Sequence, residues 1–395
     1  MSGSAEKSTA QRLEALQPFL AMEVMERAFE LEAEGVDVVH LEIGEPRFSP
    51  PPQAVEACVQ ALEGGETQYT DSRGLAELRE AIAADCERRC RVAPDPSRIL
   101  VASGTSPAML LVFSLLVDPG DEVIIPSPHY PCYPNFVRFC GGVPVYVPTH
   151  AETGFAIDVE SVAAAITPRT KAIVVASPAN PTGAVQSADT MRALAALGPP
   201  LISDEIYAGI VYDGARVTSA LTLDADAFVL DGFSKRYAMT GFRLGWLVAP
   251  AWASRPLQIM QQSLFISANR FVQKAGIAAL RHGAPYVASM RDACAKRRDR
   301  LVGGLRELGF SIPHMPAGAF YVLADARVFG SDSLALAREL LERAHVGATP
   351  GIDFGEAGEG MLRFCYATSE EAIDEGLARL GRVLPELAAS AAGGP

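Results

Sequence analysis

The sequence predicts an α/β protein in which a mostly parallel central sheet is flanked by helices, with a smaller α+β domain beside it. Short apolar runs rich in β-branched residues alternate with helical patterns through most of the chain, which favours parallel strands covered by helices on both faces. After about residue 285 the pattern changes to fewer and longer elements. A chain of 395 residues is also long enough to form two packed cores.

The first part of the chain contains most of the predicted strands. An amphipathic helix is predicted over residues 10–34, followed by Gly35 and a short strand in VDVVHLEIG. Two more helices are predicted in PPQAVEACVQALEGG, which begins with prolines, and in LAELREAIAADCERRC. Seven further strands are predicted in RILVAS, EVIIPS, PVYVPT, KAIVVASP, PLISDE, AFVLDGFS and GWLVAP. Their alternation with helical patterns predicts mostly parallel pairing with right-handed crossovers.

The last part of the chain reads as α+β. Its predicted elements are a charged helix over 286–308, the strand AFYVLA, a helix over 334–344, the strand MLRFCYA and a final helix from Ser369. We therefore predict a large domain over residues 48–285. The small domain would combine an N-terminal arm, residues 1–47, with residues 286–395.

Composition narrows the possible partners. The net charge of −13 argues against nucleic acid or an anionic membrane as a partner. The longest apolar run, near residues 108–117, is about half the length of a membrane span, and the first residues lack the apolar core of a signal peptide. The seven cysteines show neither a CxxC pair nor metal-ligand spacing. We expect reduced thiols, a cytoplasmic location and no bound metal.

One lysine has the surroundings of a cofactor attachment point. Lys235 follows Ser234 in DGFSKRYAMTGFRLGW, and Arg243 lies eight residues further on. Lysine forms Schiff bases with aldehyde cofactors, and a hydroxyl and an arginine nearby suit an anionic phosphate. The alternative is an exposed surface lysine. Phe233 and Tyr237 argue against that alternative, because an unpaired ammonium is costly to bury among apolar side chains.

A turn between a predicted strand and a helix could hold the phosphate. The turn consists of Ser103, Gly104, Thr105 and Ser106 in LVASGTSPAMLL. Backbone N–H groups at a helix N-terminus favour anions. A Ser/Thr helix cap followed by Pro107 explains the same sequence equally well.

Other candidate groups lie at predicted strand ends, where open α/β sheets place ligands. Asp204 in SDEIY could keep a pyridine nitrogen protonated, and Tyr207 could reach the ring hydroxyl oxygen; a helix cap is the competing reading. Asn180 in SPANPTG could donate to the same oxygen, or belong to an ordinary Asn-Pro turn. Tyr130 in PSPHYPCY offers a ring face for stacking.

The order of these motifs resembles the fold type I pyridoxal-phosphate enzymes, and specifically the class I/II aminotransferases. The resemblance extends from LEIGEPRFSPP at 41–51 to GEGMLRFCYATSEE at 358–371. It implies that Lys235 is the Schiff-base lysine, that Asp204 is the partner of the pyridinium nitrogen and that Tyr130 stacks on the ring. It also implies that Asn180 and Tyr207 contact the ring oxygen. The implied phosphate-binding residues are Ser103, Gly104, Thr105, Ser106, Ser234 and Arg243.

The same resemblance implies a substrate site and a dimer. Arg363 in MLRFCYAT matches the family arginine that binds the substrate α-carboxylate through a bidentate pair. Gly44 matches a glycine whose backbone lines the substrate pocket. Tyr69 matches a tyrosine that reaches the phosphate in the neighbouring subunit, which implies a homodimer with shared active sites. The implied reaction is ping-pong transfer of an amino group between an amino acid and a 2-oxo acid, with Lys235 as the general base.

The identity of the amino acid stays open. Some dicarboxylate-using relatives carry a basic residue just after the glycine pair of the phosphate turn, where this chain has Ser106-Pro107. Arg47 and Arg270 could each meet a side-chain carboxylate or lie in solvent. We favour a neutral donor, such as alanine or a branched or aromatic amino acid, with 2-oxoglutarate as acceptor. The alternatives are an aspartate-type aminotransferase, a β-eliminating carbon–sulfur lyase on the same fold, and a non-catalytic ligand-sensing module.

Overall fold

The computed structural model describes residues 9–392, apart from the side chains of Gln11 and Ala392. Residues 1–8 and 393–395, the two ends of the predicted small domain, lie outside this range. The N-terminal residues considered above for a signal peptide therefore fall mostly outside the described part of the chain. The helices, α1 to α12 in chain order, are Leu20–Ala33, Pro52–Glu63, Ala76–Cys90, Thr105–Leu116, Cys132–Phe139, Val159–Ala165, Ala188–Ala195, Ala251–Leu264, Arg270–His282, Ala284–Glu307, Ser333–Glu339 and Glu370–Ala392.

The strands form three sheets. Strands β1 to β12 are Val39–His40, Ile99–Ala102, Glu122–Ser127, Val143–Pro148, Thr170–Ala176, Leu201–Asp204, Phe228–Gly232, Gly245–Val248, Tyr321–Asp325, Val346–Gly347, Thr349–Pro350 and Met361–Cys365. The large sheet has the order β2-β8-β7-β6-β5-β3-β4, and it contains all seven strands predicted between residues 98 and 250. Pairing among β3 to β7 is parallel, and β8 pairs antiparallel with both of its neighbours. The predicted α/β fold class, with a mostly parallel sheet, is confirmed.

Apolar side chains cover both faces of the large sheet. In β2, Ile99 and Val101 belong to the core that includes α3 and α9, whereas Leu100 and Ala102 belong to the core that includes α4 and α8. This alternation follows from the two-residue period of a strand. Burial on both faces explains why these strands appear in the sequence as continuous apolar runs.

A second core lies around the smaller sheet, which has the order β11-β12-β9. Helices α10 and α12 pack against each other beside it, and Leu301 and Leu380 both contribute to this core. Helix α1 packs near the same region, since Val24 and Leu31 share a small cluster with Leu341. The packing agrees with the predicted small domain, although its boundaries stay a prediction.

Several predicted elements differ from the structure. The helix predicted over 10–34 begins only at Leu20, after Pro18, and the Asp353 carboxylate accepts hydrogen bonds from the Leu20 and Ala21 N–H groups at its start. The strand predicted over 36–44 is reduced to β1, because the following residues turn toward the cavity described below. Within residues 9–392, none of the helices combines the length and apolar character that crossing a bilayer requires.

Candidate active site

A cavity of about 530 Å³ lies at one edge of the large sheet. The carboxyl ends of the parallel strands meet there, and the antiparallel strand β8 begins at the same edge. The sequence-predicted site residues that line the cavity are Gly44, Thr105, Ser106, Tyr130, Asn180, Asp204, Tyr207, Ser234, Lys235, Arg243 and Arg363. Residues far apart in the sequence thus meet in one cavity, as expected for an open α/β sheet.

Lys235 follows the end of β7 and points into this cavity. Its Nζ donates a hydrogen bond to the Gly44 carbonyl oxygen at 2.5 Å. Enclosure by the protein lowers the pKa of Lys235 to about 8, because burial disfavours the ammonium form, and the nearby Arg363 and Arg243 guanidinium groups act in the same direction. A lysine with this pKa can lose its proton near neutral pH and then act as a nucleophile or base.

Asp204 is the last residue of β6 and is buried. Its carboxylate accepts hydrogen bonds from the Tyr133 hydroxyl at 2.6 Å and from the Ile206 N–H at 3.2 Å. Burial raises the pKa of Asp204 to about 6, although both hydrogen bonds favour the ionised form. A cationic partner in the cavity would stabilise this carboxylate. Sequence reasoning missed Tyr133.

The Gly104 turn and Arg243 form a cradle at the start of α4. Gly104 has a φ of +105°, which favours glycine, and α4 begins at the next residue, Thr105. A Cβ atom on Gly104 would lie 2.9 Å from Nη2 of Arg243, so a larger residue would collide with the guanidinium group. Free N–H groups of a helix start and a guanidinium group therefore converge, which suits a phosphate.

Arg363 is a buried cation on β12, with 2% of its surface exposed. Its Nη1 donates to Oδ1 of Asn180 at 3.0 Å, and its Nη2 donates to Oγ1 of Thr349 at 2.9 Å and to the Glu42 carbonyl oxygen at 2.5 Å. The Tyr321 ring lies 4.4 Å from the guanidinium carbon. The Nε atom has no hydrogen-bond partner among the described residues. The group is thus held in a fixed orientation beside the cavity.

Tyr207 and Tyr321 form a hydrogen-bonded connection from the edge of the large sheet to the backbone at Gly44. The hydroxyl groups of Tyr207 and Tyr321 are 2.8 Å apart, and Tyr321 donates to the Gly44 carbonyl oxygen at 3.3 Å. A Cβ atom on Gly44 would lie 2.6 Å from the Tyr321 hydroxyl oxygen, so this close approach requires glycine. Tyr130 packs edge-on against Tyr133 at 5.3 Å.

Several candidates lie away from the cavity lining. Ser103 precedes the cradle and is partly buried. Tyr69 is 80% exposed, so within one chain it does not contribute to the cavity. Arg47 is exposed, and Arg270 forms an ion pair with Glu66 at 2.9 Å. The two arginines that sequence analysis considered for a side-chain carboxylate are thus outside the cavity of their own chain.

Helix α1 and the residues before it form a wall of the cavity that sequence reasoning did not find. Phe19, Met22 and Met25 line the cavity from this side. Met22 and Met25 lie three positions apart on the helix and so face the same direction. A pair of apolar residues at that spacing was visible in the sequence, but nothing local distinguished it from an ordinary core-facing stripe.

Comparison with known proteins identifies the family. The family model "Aminotransferase class I and II" matches residues 36–380. The aspartate/prephenate aminotransferase of Thermus thermophilus is 39% identical, and the match covers 96% of this chain and 99% of that protein. The valine–pyruvate aminotransferase of Mycobacterium tuberculosis is 38% identical over 93% of this chain and 96% of its own length.

Solved structures agree with the sequence comparison. The structure of aspartate aminotransferase from Thermus thermophilus with maleate superposes with a TM-score of 0.92 at 39% identity, covering 96% of this chain and 100% of the other. An aminotransferase from Mycobacterium tuberculosis superposes with a TM-score of 0.91 at 36% identity, covering 96% and 100%. The chain therefore belongs to the class I and II aminotransferase family, and it is an aminotransferase that uses pyridoxal 5'-phosphate to act on amino acids and 2-oxo acids.

Proposed function

We propose that this aminotransferase acts on an L-amino acid with a neutral side chain, with a 2-oxo acid as acceptor. The supporting observation is the charge of the cavity. Its described lining contains three cations, Lys235, Arg243 and Arg363, and each has a role in the proposal below. Asp204 and Glu45 add two acidic side chains to the lining, so within one chain no cation is left for an acidic side chain of the amino donor.

The residues present fit pyridoxal phosphate. The Gly104 cradle suits the phosphate, with Ser103, Thr105, Ser106 and Ser234 as further donors beside Arg243. The buried Asp204 suits the pyridine nitrogen, because its raised pKa would return to normal beside a cation. When bound, the cofactor supplies an aldehyde that reacts with amines and a ring that withdraws electrons.

The remaining cofactor contacts follow from position around the same cavity. We assign Tyr130 to stacking on the ring, and Asn180 and Tyr207 to the ring oxygen, because all three line the cavity next to Asp204. The Asn180 amide can donate to that oxygen through Nδ2, while its Oδ1 accepts from Arg363 at 3.0 Å. Asn180 would therefore contact both the cofactor and the arginine that binds substrate.

Lys235 and Arg363 divide the work on the substrate. Arg363 binds the α-carboxylate, with its orientation fixed by Asn180 and Thr349, and so places the α-carbon near Nζ of Lys235. With a pKa of about 8, the Lys235 amine accepts the α-proton as general base and then returns it as general acid. The backbone of Gly44 lines the pocket and accepts a hydrogen bond from Nζ. The two half-reactions predict ping-pong kinetics.

We further propose a homodimer in which Tyr69 of each chain completes the partner's phosphate site. Tyr69 is exposed, and so are Val55, Val59 and Leu62 on α2, which are spaced to share one face of that helix. Light scattering should give the mass of a dimer, and Tyr69→Phe should weaken cofactor binding. A monomer with full activity would contradict this part of the proposal.

An aspartate-type activity is the second candidate, because the Thermus relative is named for aspartate and prephenate. The apolar wall of Phe19, Met22 and Met25 favours the neutral substrate instead. Half-reaction rates across a panel of amino acids, measured from the absorbance of the cofactor, decide between them. If aspartate or glutamate reacts fastest as the donor, the neutral-substrate proposal is wrong. Release of pyruvate and ammonia from a cysteine conjugate without any acceptor would instead favour a lyase.

A further inference from the structure

Residues 42–44 form a short segment that touches both catalytic cations. The Glu42 carbonyl oxygen accepts a hydrogen bond from Nη2 of Arg363, and the Gly44 carbonyl oxygen accepts one from Nζ of Lys235, each at 2.5 Å. A third contact comes from Thr349, whose hydroxyl donates to the Glu42 carbonyl at 3.1 Å. The position of this segment therefore influences where both cations lie.

The side chain of Glu42 is buried behind the segment, with none of its surface exposed. Its Oε1 lies 2.6 Å from Nδ1 of His40, which is itself buried. The Nε2 atom of His40 lies 3.1 Å from Oε1 of Glu32, a half-exposed residue of α1. His40 thus connects the buried Glu42 carboxylate with helix α1, whose first turns form the apolar wall of the cavity.

Gly347 leaves room for this carboxylate. A Cβ atom at Gly347 would collide with the Glu42 carboxyl group, and Gly347 pairs with His40 in the parallel bridge between β1 and β10. Oε2 of Glu42 has no hydrogen-bond partner among the described residues. Because a buried carboxylate without a partner is costly, the hydrogen bond with the His40 ring stabilises Glu42, and this hydrogen bond raises the pKa of His40.

We propose that His40 and Glu42 are positioning residues for Arg363. The ion pair holds the Glu42 backbone in the place where its carbonyl oxygen meets Nη2, and this contact fixes how the guanidinium group meets the substrate carboxylate. The proposal rests on the proposed role of Arg363 in carboxylate binding. It assigns to His40 and Glu42 no contact with the substrate.

The test uses the cofactor-loaded enzyme and the monocarboxylate 3-phenylpropanoate, whose dissociation constant is measured by spectral titration. His40→Gln and Glu42→Gln should each raise this constant and the KM for the amino acid about tenfold, the usual scale for losing one partner of a charged hydrogen bond, with kcat changed less than about threefold. The double variant should lose no more than either single variant, about tenfold, because the second substitution removes a partner of an interaction that is already lost.

Two controls make the result specific. Glu32→Gln removes only the partner of His40 on the solvent side and should raise the dissociation constant about threefold. This variant still tests the proposal if Glu42→Gln does not fold. Glu30→Gln lies on the same helix, is paired with Arg27 and has no contact with His40, so it should change nothing. The absorption spectrum of the cofactor reports separately whether Lys235 is disturbed.

Two outcomes would overturn the proposal. One is an unchanged dissociation constant in both single variants. The other is a double variant whose loss equals the product of the single losses. Arg363→Ala separates this failure from failure of the proposed function: if it leaves 3-phenylpropanoate binding unchanged, the carboxylate role itself is wrong. If it weakens binding while the His40 and Glu42 variants do not, only the positioning role is wrong.

Discussion

Lys235 and Arg363 are two enclosed cations in one cavity, and the protein treats them differently. Lys235 donates to the carbonyl oxygen of Gly44, and its pKa is lowered to about 8. Arg363 donates to Asn180, Thr349 and a backbone carbonyl, and it lies against the Tyr321 ring. Burial can remove the charge of a lysine, whereas a guanidinium group stays charged in proteins. On the roles proposed above, the few contacts of Lys235 suit a group that exchanges protons, and the many contacts of Arg363 suit a group that stays fixed.

The largest expected effect comes from exchanging the type of cation at position 235. Lys235→Arg keeps the charge but removes the amine, so we expect no visible absorption band from lysine-bound cofactor and a loss of turnover of about a thousandfold or more. Absorbance spectra and borohydride labelling of the protein measure this. A variant that keeps the band, or labelling of a different peptide in the unaltered enzyme, would show that Lys235 is not the attachment point.

The reciprocal change at position 363 should have a smaller effect. Arg363→Lys keeps the charge but loses the planar fork, so we expect kcat/KM for the amino acid to fall about 100-fold while the cofactor spectrum stays intact. Arg327→Lys, at an exposed ion pair with Asp325, serves as a matched control and should have no effect. If Arg363→Lys is as active as the unaltered enzyme, the planar guanidinium group is not required for binding the substrate carboxylate.

The lowered pKa of Lys235 predicts how cofactor uptake depends on pH. Below pH 8 the free-amine fraction rises about tenfold per pH unit, because the ammonium form dominates there, and above pH 8 it is nearly constant. The rate at which cofactor-free protein takes up pyridoxal phosphate should follow this curve, also in Arg363→Lys. A rate that still rises toward pH ~10, as for an exposed lysine, would contradict the lowered pKa.

The smallest expected effect tests the dense contacts of Arg363. Thr349→Val removes one hydroxyl partner of Nη2 while keeping the shape of the side chain, so we expect the KM for the amino acid to rise about fivefold with little change in kcat. Steady-state kinetics with one amino acid at fixed acceptor concentration measure this. A fall in kcat with an unchanged KM would mean that Thr349 acts on the chemical step instead.

The sequence predicted the large sheet well, because a strand buried on both faces leaves a local signal. All seven runs between residues 98 and 250 are strands of that sheet. The antiparallel direction of β8 was not predicted, since direction depends on the path of the chain rather than on composition. The helix predicted from residue 10 begins ten residues later, where Asp353 caps it from a distant part of the chain.

The candidate site was predictable where a residue type is unusual for its surroundings. A lysine among aromatic residues stands out, whereas Arg363 was assigned only through the family resemblance; both line the cavity. Tyr133, Glu42 and the methionines of α1 do not stand out, because their roles come from contacts with residues far away in sequence. Tyr133 lies in α5 whereas Tyr130 precedes that helix, so no helical spacing in the sequence linked the two tyrosines.

The order of strands in the large sheet also has a consequence for the nascent chain. Among the described strands, β2 pairs with β8 alone, and Ile99 aligns with Val248. At about 5–20 residues per second, ribosomal synthesis would leave this edge without its partner for on the order of ten seconds. Unsatisfied edges invite mispairing with other chains, so β2 is where we expect aggregation to begin when translation stalls before residue 245.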